Sequence, residues 1–420
     1  MTLIEFYDIA PIENIISSLT MQTDRVIFVG TGKRMERQGR GMQRFLDSRG
    51  INAEFRYVHI NKHDLSGIVR TLESIIAEED EIVVDLNGGE DLLLVAMGIV
   101  YERYKDTKRI EMHRYNIRNG TVSDCDGDGI VYPKEHFEIT VRDNIDLHGG
   151  AIRYANAGSG RGTYSFDLSE QFKGDVLALW ELCKASPAAW NRSIDILNET
   201  ERRTKAAPEK LTIHVNTDAI LGRNDGRERF KLLLTFLKDL KKSGCIAKLE
   251  YDETAITYEY KSLQLKQCVD KAGNVLELTT LILAMELRRK DGKPVFNDAM
   301  NGVCIDWDGD IHSGADSAQD VENEIDVFLM KGLVPILISC KNGGVDSDEL
   351  YKLRTVAGRF GGDYARRVLI TTYISSSKRS REALRRRAKE MDIELIENVH
   401  LLSNEEFSKR LRDIGIRHFD

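Results

Sequence analysis

Strand-like and helix-like segments alternate along the first 120 residues, and this alternation limits the possible fold more than any other feature. Helical segments fall near residues 11–20, 34–48, 65–78 and 90–105, between candidate strands at 3–7, 26–29, 54–58, 82–86 and 110–117. Parallel strands require a crossover of about a dozen residues, and helices of this length supply it. The pattern therefore predicts a Rossmann-like, doubly wound α/β sheet.

The sequence pattern changes twice in the rest of the chain, near residue 158 and near residue 266. A glycine-rich stretch at 158–162 precedes an amphipathic run at 168–197 and alternating residues at 247–260, which is compatible with a helical, winged-helix-like connector. From about residue 266 the order of helices and strands indicates a second, mixed α/β core. Because 420 residues exceed one ordinary hydrophobic core, we predict domains at 1–150, 151–265 and 266–420.

Charge and cysteine content exclude several classes of protein. The net charge of −8 argues against a wholly basic surface, so any contact with nucleic acid requires a local basic patch. Six cysteines without a CxxC pair argue against a zinc ribbon or a disulfide framework. The longest uncharged apolar run has nine residues and the first residues have no signal-like pattern, so we expect a cytoplasmic protein without membrane contact.

Two strand-to-helix turns of the first module contain two glycines each. Glycine lets the backbone approach a ligand, and a helix N-terminus offers free N–H groups to an anion. Neither turn has a dinucleotide or Walker fingerprint, so two ordinary turns remain the alternative to a ligand site. The candidate contacts are Gly30, Thr31, Gly32 and Lys33 in the first turn, and Asn87, Gly88, Gly89, Glu90 and Asp91 in the second.

The strongest chemical signal lies in the segment NEIDVFLMKGLVPILISCKNG at 323–343. Alternate residues of a strand share a face, so Glu324 and Asp326 point the same way, as do Ser339 and Lys341 on the next strand. A tight turn at 331–332 makes the strands antiparallel and places Asp326 opposite position 337 or 339. Either register gathers two carboxylates, a hydroxyl and an ammonium on one side of the sheet.

Such a group of side chains suits metal-assisted phosphodiester hydrolysis. Carboxylates hold a hard divalent ion, and a neighbouring lysine orients water or stabilises charge on the phosphate. Glu277 on a predicted helix is a further candidate ligand, although Asn274 and Glu277 also have the spacing of a helix capping box. For Asp326 and Lys341 the alternative is a surface salt bridge.

The same segment resembles the core of PD-(D/E)XK nucleases, and the turn at 87–91 resembles the ligand turn of CARF domains. Together they resemble the ancillary nucleases of type III CRISPR systems that join one CARF domain to one PD-(D/E)XK domain. The resemblance implies activation by cyclic tetra-adenylate, a cyclic oligoadenylate bound across the two-fold axis of a homodimer. It also implies cleavage of DNA or RNA, single-stranded or by nicking, that depends on manganese or magnesium.

Carried onto this chain, the resemblance makes Asp326 the metal-binding aspartate and Lys341 the motif lysine. Ser339 stands where most members have Glu or Gln. The residues left to complete the metal shell are Glu324, Glu277 and the Cys340 carbonyl. The two glycine turns would contact the activator, with Glu90 and Asp91 in place of a threonine–lysine pair that is common there.

Other charged segments have simpler interpretations. The stretch at 124–135 has the spacing of an EF-hand calcium loop, but strand-like residues flank it, which favours an acidic hairpin tip. Asp306 and the acids after it indicate a hairpin turn, with a contribution to the metal site as the alternative. The basic stripe at 378–389 is either a solvated helix face or, through Arg381 and Arg385, a contact to nucleic-acid phosphates.

Two rival functions remain open. A HEPN-type ribonuclease needs an R-x4–6-H motif, and its one match at this end of the chain runs from Arg412 to His418. A ligand-controlled DNA-binding transcription regulator would use the connector as a winged helix and would not cleave. Only the metal-dependent nuclease loses cleavage when a chelator is added.

Overall fold

Three β-sheets organise the chain in the computed structural model, which describes residues 1–21, 23–117, 121–125, 130–132, 137–155, 162–222, 225–312 and 322–416. Parts of the 124–135 loop, most of the glycine-rich 158–162 stretch and His418 lie outside these ranges. Within them, no helix has both the length and the apolar character that a membrane crossing requires.

The first module alternates strands and helices as predicted. Its elements are β1 (Thr2–Phe6), α1 (Ile16–Thr20), β2 (Arg25–Gly30), α2 (Arg34–Ser48), β3 (Glu54–His59), α3 (Leu65–Glu78), β4 (Glu81–Asp85), α4 (Asp91–Tyr104), β5 (Arg109–Asn116), β6 (Thr121–Asp124) and β7 (Ile130–Tyr132). The strand order is β3-β2-β1-β4-β5-β6-β7, with β1 to β5 parallel and an antiparallel edge formed by β6 and β7. The predicted doubly wound sheet is confirmed, although the predicted helix at 11–20 is shorter because residues 11–15 form turns.

Burial on both faces explains why these segments form parallel strands. In β2 the residues from Val26 to Val29 are all at most 1% exposed, which is typical of a parallel strand covered by helices on both sides. In α3 the buried residues Ile68, Leu72 and Ile75 recur at helical spacing and pack against one face of the sheet. The central strands β1, β2 and β4 are therefore enclosed on both faces, whereas the edge strand β3 is partly exposed.

Helices and a small antiparallel sheet follow the first module, in agreement with the predicted helical connector. The elements are α5 (Val141–Leu147), β8 (Ala151–Ile152), α6 (Glu170–Ala185), α7 (Pro187–Thr204), β9 (Thr212–Asn216), α8 (Asp218–Leu221), α9 (Gly226–Lys242), β10 (Ile246–Tyr251) and β11 (Ala255–Tyr260). β11 pairs with both β9 and β10. Thr140 and Asp143 form a capping box that starts α5, a helix the sequence interpretation missed.

The C-terminal module is the predicted mixed α/β core. It contains α10 (Leu263–Cys268), α11 (Asn274–Glu286), β12 (Asp298–Asp306), β13 (Glu322–Lys331), β14 (Val334–Lys341), α12 (Ser347–Gly361), β15 (Arg366–Thr371), α13 (Lys378–Glu390), β16 (Ile393–Ile396) and α14 (Asn404–Ile416). The strand order is β16-β15-β14-β13-β12-β8, antiparallel from β8 to β14 and parallel from β14 to β16. β8 and β16 were not predicted because each is too short for a clear alternating pattern.

The three sheets are joined by shared hydrophobic cores. One core combines the connector helices with α11 and one face of the last sheet, and another combines the first sheet with α5 and α12. A cleft of about 840 Å³ lies between α2, the end of α5 and α12. The first module and the last sheet are therefore in direct contact through α2 and α5.

Candidate functional site

The two glycine turns lie at the same edge of the first sheet. β1 lies between β2 and β4, so the connections from β1 and from β4 run to opposite sides of the sheet. Such a switch point leaves a crevice beyond the carboxyl ends of the strands, where open α/β sheets bind ligands. The turn at 31–33 follows β2 and the turn at 86–90 follows β4, so both border this crevice.

Cationic side chains surround the turn after β2. A Cβ at Gly30 would lie 2.7 Å from the Tyr7 Cβ, and Gly32 has φ +78°, so backbone geometry requires glycine at both positions. Thr31 is partly exposed and Lys33 is exposed. A groove at this turn is lined by Gly32, Lys33, Arg34, Glu36, Arg40 and His59. Its surplus of positive charge favours an anionic ligand.

Packing and hydrogen bonds determine the turn after β4. The Asn87 side chain accepts a hydrogen bond from the Tyr115 N–H (2.6 Å) and donates one to the Tyr115 carbonyl (2.7 Å). A Cβ at Gly88 would lie 2.5 Å from the Phe6 carbonyl oxygen. Gly89 has φ +101°, and a Cβ there would lie 2.6 Å from the Phe6 Cβ. These three residues therefore shape the turn, whether or not they contact a ligand.

The negative charges of Glu90 and Asp91 in this turn are partly offset by their surroundings. They would therefore repel an anionic ligand only weakly. Glu90 lies 3.5 Å from Lys62, whose ammonium offsets the carboxylate charge. Asp91 is the first residue of α4, a position where the helix dipole favours a carboxylate.

A pair of buried carboxyls lies beneath the same turn and was not predicted. Glu5 on β1 and Asp85 on β4 are register partners, each 1% exposed. Asp85 accepts hydrogen bonds from the Ser17 hydroxyl and from the Asn87 N–H. Burial raises the pKa of Asp85 to about 6, and burial together with the charge of Asp85 raises the pKa of Glu5 well above its usual value.

The predicted grouping on the last sheet is present. The register of β13 and β14 places Asp326 opposite Ser339. Asp326 Oδ2 accepts hydrogen bonds from the Ser339 hydroxyl (3.1 Å), the Cys340 N–H (2.7 Å) and Lys341 Nζ (3.3 Å). The Asp326 side chain is 13% exposed, so a solvated surface salt bridge does not describe it.

Glu277 joins this cluster from α11. The helix begins without a side-chain capping bond, so the capping-box alternative is wrong for this residue. Glu277 is 8% exposed, and burial followed by the charges of Asp326 and Glu324 raises its pKa well above the usual value. A buried carboxyl among other carboxyls is costly to ionise unless a cation lies beside it.

Glu324 lies at the rim of the cluster. Both of its carboxylate oxygens contact Lys271 Nζ, at 3.2 and 3.3 Å, and its side chain is 42% exposed. Gly302 of β12 occupies the register position opposite Asp326 and has no side chain, so the neighbouring strand does not fill the space beside the acids. Glu324 therefore belongs to the edge of the site and Asp326 to its centre.

The oxygen donors of this cluster fit a hard divalent ion. Among the described residues, no group of three His, Cys, Asp or Glu side chains is arranged to hold a metal ion. The Cys340 thiol is unsuitable, because burial raises its pKa well above the usual value, which leaves only its carbonyl as a donor. Asp326 and Glu277 are therefore the candidate side chains for a divalent ion.

Asp306 does not contribute to this site. Its Oδ1 accepts hydrogen bonds from the Asp308 N–H (3.2 Å) and the Gly309 N–H (2.9 Å), which forms the predicted turn. It pairs with Glu322 at the far end of β12, four residues beyond the position opposite Asp326.

The two arginines predicted to contact nucleic acid already have partners within the protein. Arg385 forms a bidentate ion pair with Glu397, at 2.6 and 2.7 Å. Arg381 donates to the carbonyls of Ser375 (2.7 Å) and Ser376 (2.9 Å). Both contacts depend on tertiary placement, which helical spacing alone does not reveal. The exposed cations of α13 are instead Lys378, Arg379, Arg386, Arg387 and Lys389, together with Arg385 itself.

Comparison with known proteins finds likeness in structure only. No family model matches the sequence, and no curated protein matches it. Protein VC1899 from Vibrio cholerae has a TM-score of 0.69 at 17% identity, over 100% of this chain and 97% of that one. Can2 from Sulfobacillus thermosulfidooxidans, solved in complex with cyclic tetra-adenylate, has a TM-score of 0.64 at 13% identity, over 100% of this chain and 99% of that one.

The chain shares its fold with these two proteins. The likeness extends from end to end, so it covers the sensor sheet, the connector and the last sheet together. After the resemblance noted in the sequence, we call the first sheet with its helices the CARF part and the last sheet with its helices the nuclease core.

Two residues of the nuclease core were missed by sequence reasoning. Lys271 binds Glu324, as described above, and Glu349 Oε2 lies 3.4 Å from Lys341 Nζ. Glu349 has the appearance of an ordinary first-turn acid of α12, so only the packing of that helix on the sheet reveals the contact.

Proposed function

We propose that this protein is a cyclic-tetra-adenylate-activated, metal-dependent endonuclease that acts as a homodimer in type III CRISPR defence. The observation that carries the proposal is the cluster of Asp326, Glu277 and Lys341 in a nuclease core joined to a CARF sheet. The full-length likeness to Can2, which was solved with cyclic tetra-adenylate, supports the choice of activator. All six cysteines are unpaired, which is consistent with the reducing cytoplasm.

The activator is proposed to bind at the strand-end crevice of the CARF part. Lys33, Arg34 and Arg40 supply positive charge for its phosphates, and Lys62 offsets the charge of Glu90. One chain offers two turns, whereas a ring of four identical nucleotides presents four equivalent edges. Two chains related by a two-fold axis match that symmetry.

Exposed apolar residues support the proposed dimer. Ile9, in the loop after β1, is 63% exposed, and Val95 and Leu94 on α4 are 51% and 36% exposed. These residues follow the two strands that border the crevice, so a second copy seated over them would also enclose the activator. Burial of large apolar side chains favours such an association.

Cleavage is proposed to occur at the Asp326 cluster. Asp326 and Glu277 would hold the divalent ion, which would polarise the phosphodiester and lower the pKa of a bound water. The Ser339 hydroxyl and the Cys340 N–H orient the Asp326 carboxylate by hydrogen bonds to Oδ2. Lys341 places its ammonium beside Asp326, where it stabilises negative charge that develops on the phosphate.

The substrate is proposed to be DNA, single-stranded or nicked, RNA, or both. The exposed cations of α13 supply sequence-independent contacts to phosphates. Helix α13 is tied to the start of α12, because Arg387 donates a hydrogen bond to the Ser347 hydroxyl at 2.6 Å. These cations are therefore connected to the helix that carries Glu349, beside Lys341.

The test uses the full-length protein with labelled single-stranded DNA, RNA and nicked duplex. We expect cleavage only when cyclic tetra-adenylate and Mn²⁺ are both present, and loss of cleavage in a chelator. Asp326→Asn should reduce the rate by about 10³-fold or more and leave activator affinity unchanged. Cleavage that survives the chelator would favour a HEPN-type enzyme, and ligand-dependent DNA binding without cleavage would favour a regulator.

A further inference from the structure

We propose that Glu349 is a positioning residue for Lys341, holding its ammonium between two carboxylates so that it faces the scissile phosphate. The inference rests on the proposed nuclease function and names a part of the site that neither the sequence motif nor the comparisons assign. Lys341 Nζ lies 3.3 Å from Asp326 Oδ2 and 3.4 Å from Glu349 Oε2. The two anions approach it from different elements, β13 and α12.

A second anchor is needed because of the chemistry of lysine. Its ammonium is a point charge with three donors on a flexible four-carbon chain, so one contact does not define its position. Asp326 is shared, since the same oxygen also accepts from Ser339 and Cys340. A further carboxylate on a rigid helix restricts the position of the Lys341 ammonium and does not require Asp326 Oδ2 to accept another hydrogen bond.

The surroundings of Glu349 make it a rigid anchor. Asp346 caps α12 by accepting from the Asp348 N–H (2.9 Å), and Leu350 and Leu353 on the same helix are buried against the core. The second oxygen of Glu349 contacts Lys352 Nζ at 3.1 Å, on the solvent side. The Glu349 side chain is 24% exposed, so water screens its contact with Lys341 only in part.

Electrostatics supports the same role. Burial acts to lower the pKa of Lys341, but Asp326 and then Glu349 outweigh it and raise the pKa. Glu277 of α11 is a third acid near the same ammonium, and burial raises its own pKa. Neutralising Glu349 removes one of these anions, so the pKa of Lys341 should fall while the other two acids stay in place.

The experiment compares Glu349→Gln with the matched control Asp348→Asn. Asp348 is an exposed acid of the same helical turn, so its replacement removes the same charge near the same helix end. With saturating activator and Mn²⁺, Glu349→Gln should lower kcat by about 10- to 100-fold with little change in KM. The alkaline limb of the kcat profile should move to lower pH. Asp348→Asn should leave kcat, KM and the pH profile unchanged.

A second readout does not depend on activity. In metal-free protein, the rate at which an amine-reactive reagent modifies Lys341, followed by mass spectrometry across pH, reports the pKa of that ammonium. The curve should move to lower pH in Glu349→Gln and stay in place in Asp348→Asn. An unmoved curve together with wild-type kcat in Glu349→Gln would overturn the proposed role.

Failure of this inference is distinguishable from failure of the proposed function. If Lys341→Ala and Asp326→Asn cleave at the wild-type rate, the nuclease site itself is wrong, whatever Glu349 does. If those two variants are inactive and Glu349→Gln behaves like wild type, only the positioning role is wrong. Thermal unfolding of each variant shows whether a loss of activity reflects a loss of folded protein.

Discussion

The CARF part and the nuclease core each contain buried carboxyl groups that influence one another, and the two sets differ in what surrounds them. Glu5 and Asp85 are covered by the 86–90 turn, and hydrogen bonds from Ser17 and Asn87 are directed at Asp85. Among the described residues neither of these acids has an ion-pair partner. At the nuclease site, Asp326 faces Lys341, and Glu324 at the rim faces Lys271.

A buried carboxyl group is unfavourable in both places, but the two regions accommodate it in different ways. Burial raises the pKa in both places, since it disfavours a charged carboxylate. In the CARF pair the raised pKa values favour the protonated forms, and the Asn87 N–H connects Asp85 to the turn above it. The nuclease acids lie next to lysines and an open strand position, which suits the divalent ion of the proposed function. We call the first the sealed pair and the second the open cluster.

The largest expected effect comes from the open cluster. Glu277→Gln keeps the size of the side chain and removes its charge, so a divalent ion loses one anionic ligand. We expect the cleavage rate at saturating activator to fall by about 10³-fold, roughly 4 kcal/mol of transition-state stabilisation. The Mn²⁺ concentration for half-maximal rate should rise as well, and both are measured in initial-rate titrations.

The matched change in the sealed pair is Glu5→Gln. This substitution removes a carboxyl of the same type at a site where we propose no metal. The cleavage rate and the Mn²⁺ requirement of the variant should therefore stay close to those of wild type at saturating activator. Equal losses in the two variants would show that Glu277 acts through folding and that the contrast between the two sets is wrong.

The next effect concerns the pH dependence of the sealed pair. The folded-state pKa of Asp85, about 6, is above its ordinary value, so the folded protein binds more protons and stability falls as pH rises from about 4 to 6. Over the full window the loss approaches about 3 kcal/mol. Asp85→Asn does not titrate, so its stability relative to wild type should increase between pH 4.5 and 7.5.

Hydrogen exchange measures this effect in the CARF part alone. Amides of β1 and β4 are followed by mass spectrometry, and their rates are corrected for the intrinsic effect of pH on exchange. A wild-type-to-variant difference that is the same at both pH values would contradict a raised pKa for Asp85. Amides of the connector sheet, far from Asp85 in sequence, serve as an internal control.

The sequence predicts those features that depend on local periodicity. Alternation of side chains along β13 and β14 is enough to place Asp326, Ser339 and Lys341 together, because a tight turn leaves few registers open. The helix-and-strand rhythm likewise predicts the parallel sheet of the CARF part. In both regions the signal lies within about 20 residues of sequence, so no tertiary information is needed.

Local sequence patterns do not reveal contacts between segments that are far apart in sequence. The sealed pair exists because β1 and β4 are neighbours, which follows from the strand order. Glu349 reaches Lys341 only through the packing of α12, and Arg385 is held by Glu397 across 12 residues and a turn. The role of each of these side chains depends on the residue that it contacts, and tertiary packing determines which residue that is.

A smaller effect is expected at the turn that covers the sealed pair. Gly88→Ala places a Cβ against the Phe6 carbonyl, so β1 or the turn must shift, at a cost of about 1–3 kcal/mol. Gly98→Ala on α4 is the control, because a Cβ there has nothing within 4 Å and the helix gains propensity. Chemical unfolding monitored by exchange in β1 and β4 compares the two.

This pair of variants also tests how Gly88 affects the activator. If Gly88 only shapes the turn, affinity for cyclic tetra-adenylate should fall in proportion to the loss of local stability. If Gly88→Ala abolishes binding while exchange in β1 and β4 is unchanged, the glycine admits the ligand directly and the packing explanation is wrong.

The smallest expected effect lies on α13, whose exposed cations are the proposed contacts to substrate phosphates. Arg386 is exposed and has no hydrogen bond or ion pair to another described residue, whereas Arg385 is bound on two sides by Glu397. A free arginine that meets a phosphate releases counterions when it binds, and an arginine already neutralised by a carboxylate releases fewer. Arg386→Ala should therefore reduce the slope of log affinity against log salt by about 0.7 for single-stranded substrate, and Arg385→Ala by less.

Binding is measured with the Asp326→Asn protein, in which cleavage does not interfere. Equal slopes for both variants and their parent would mean that α13 does not contact the substrate.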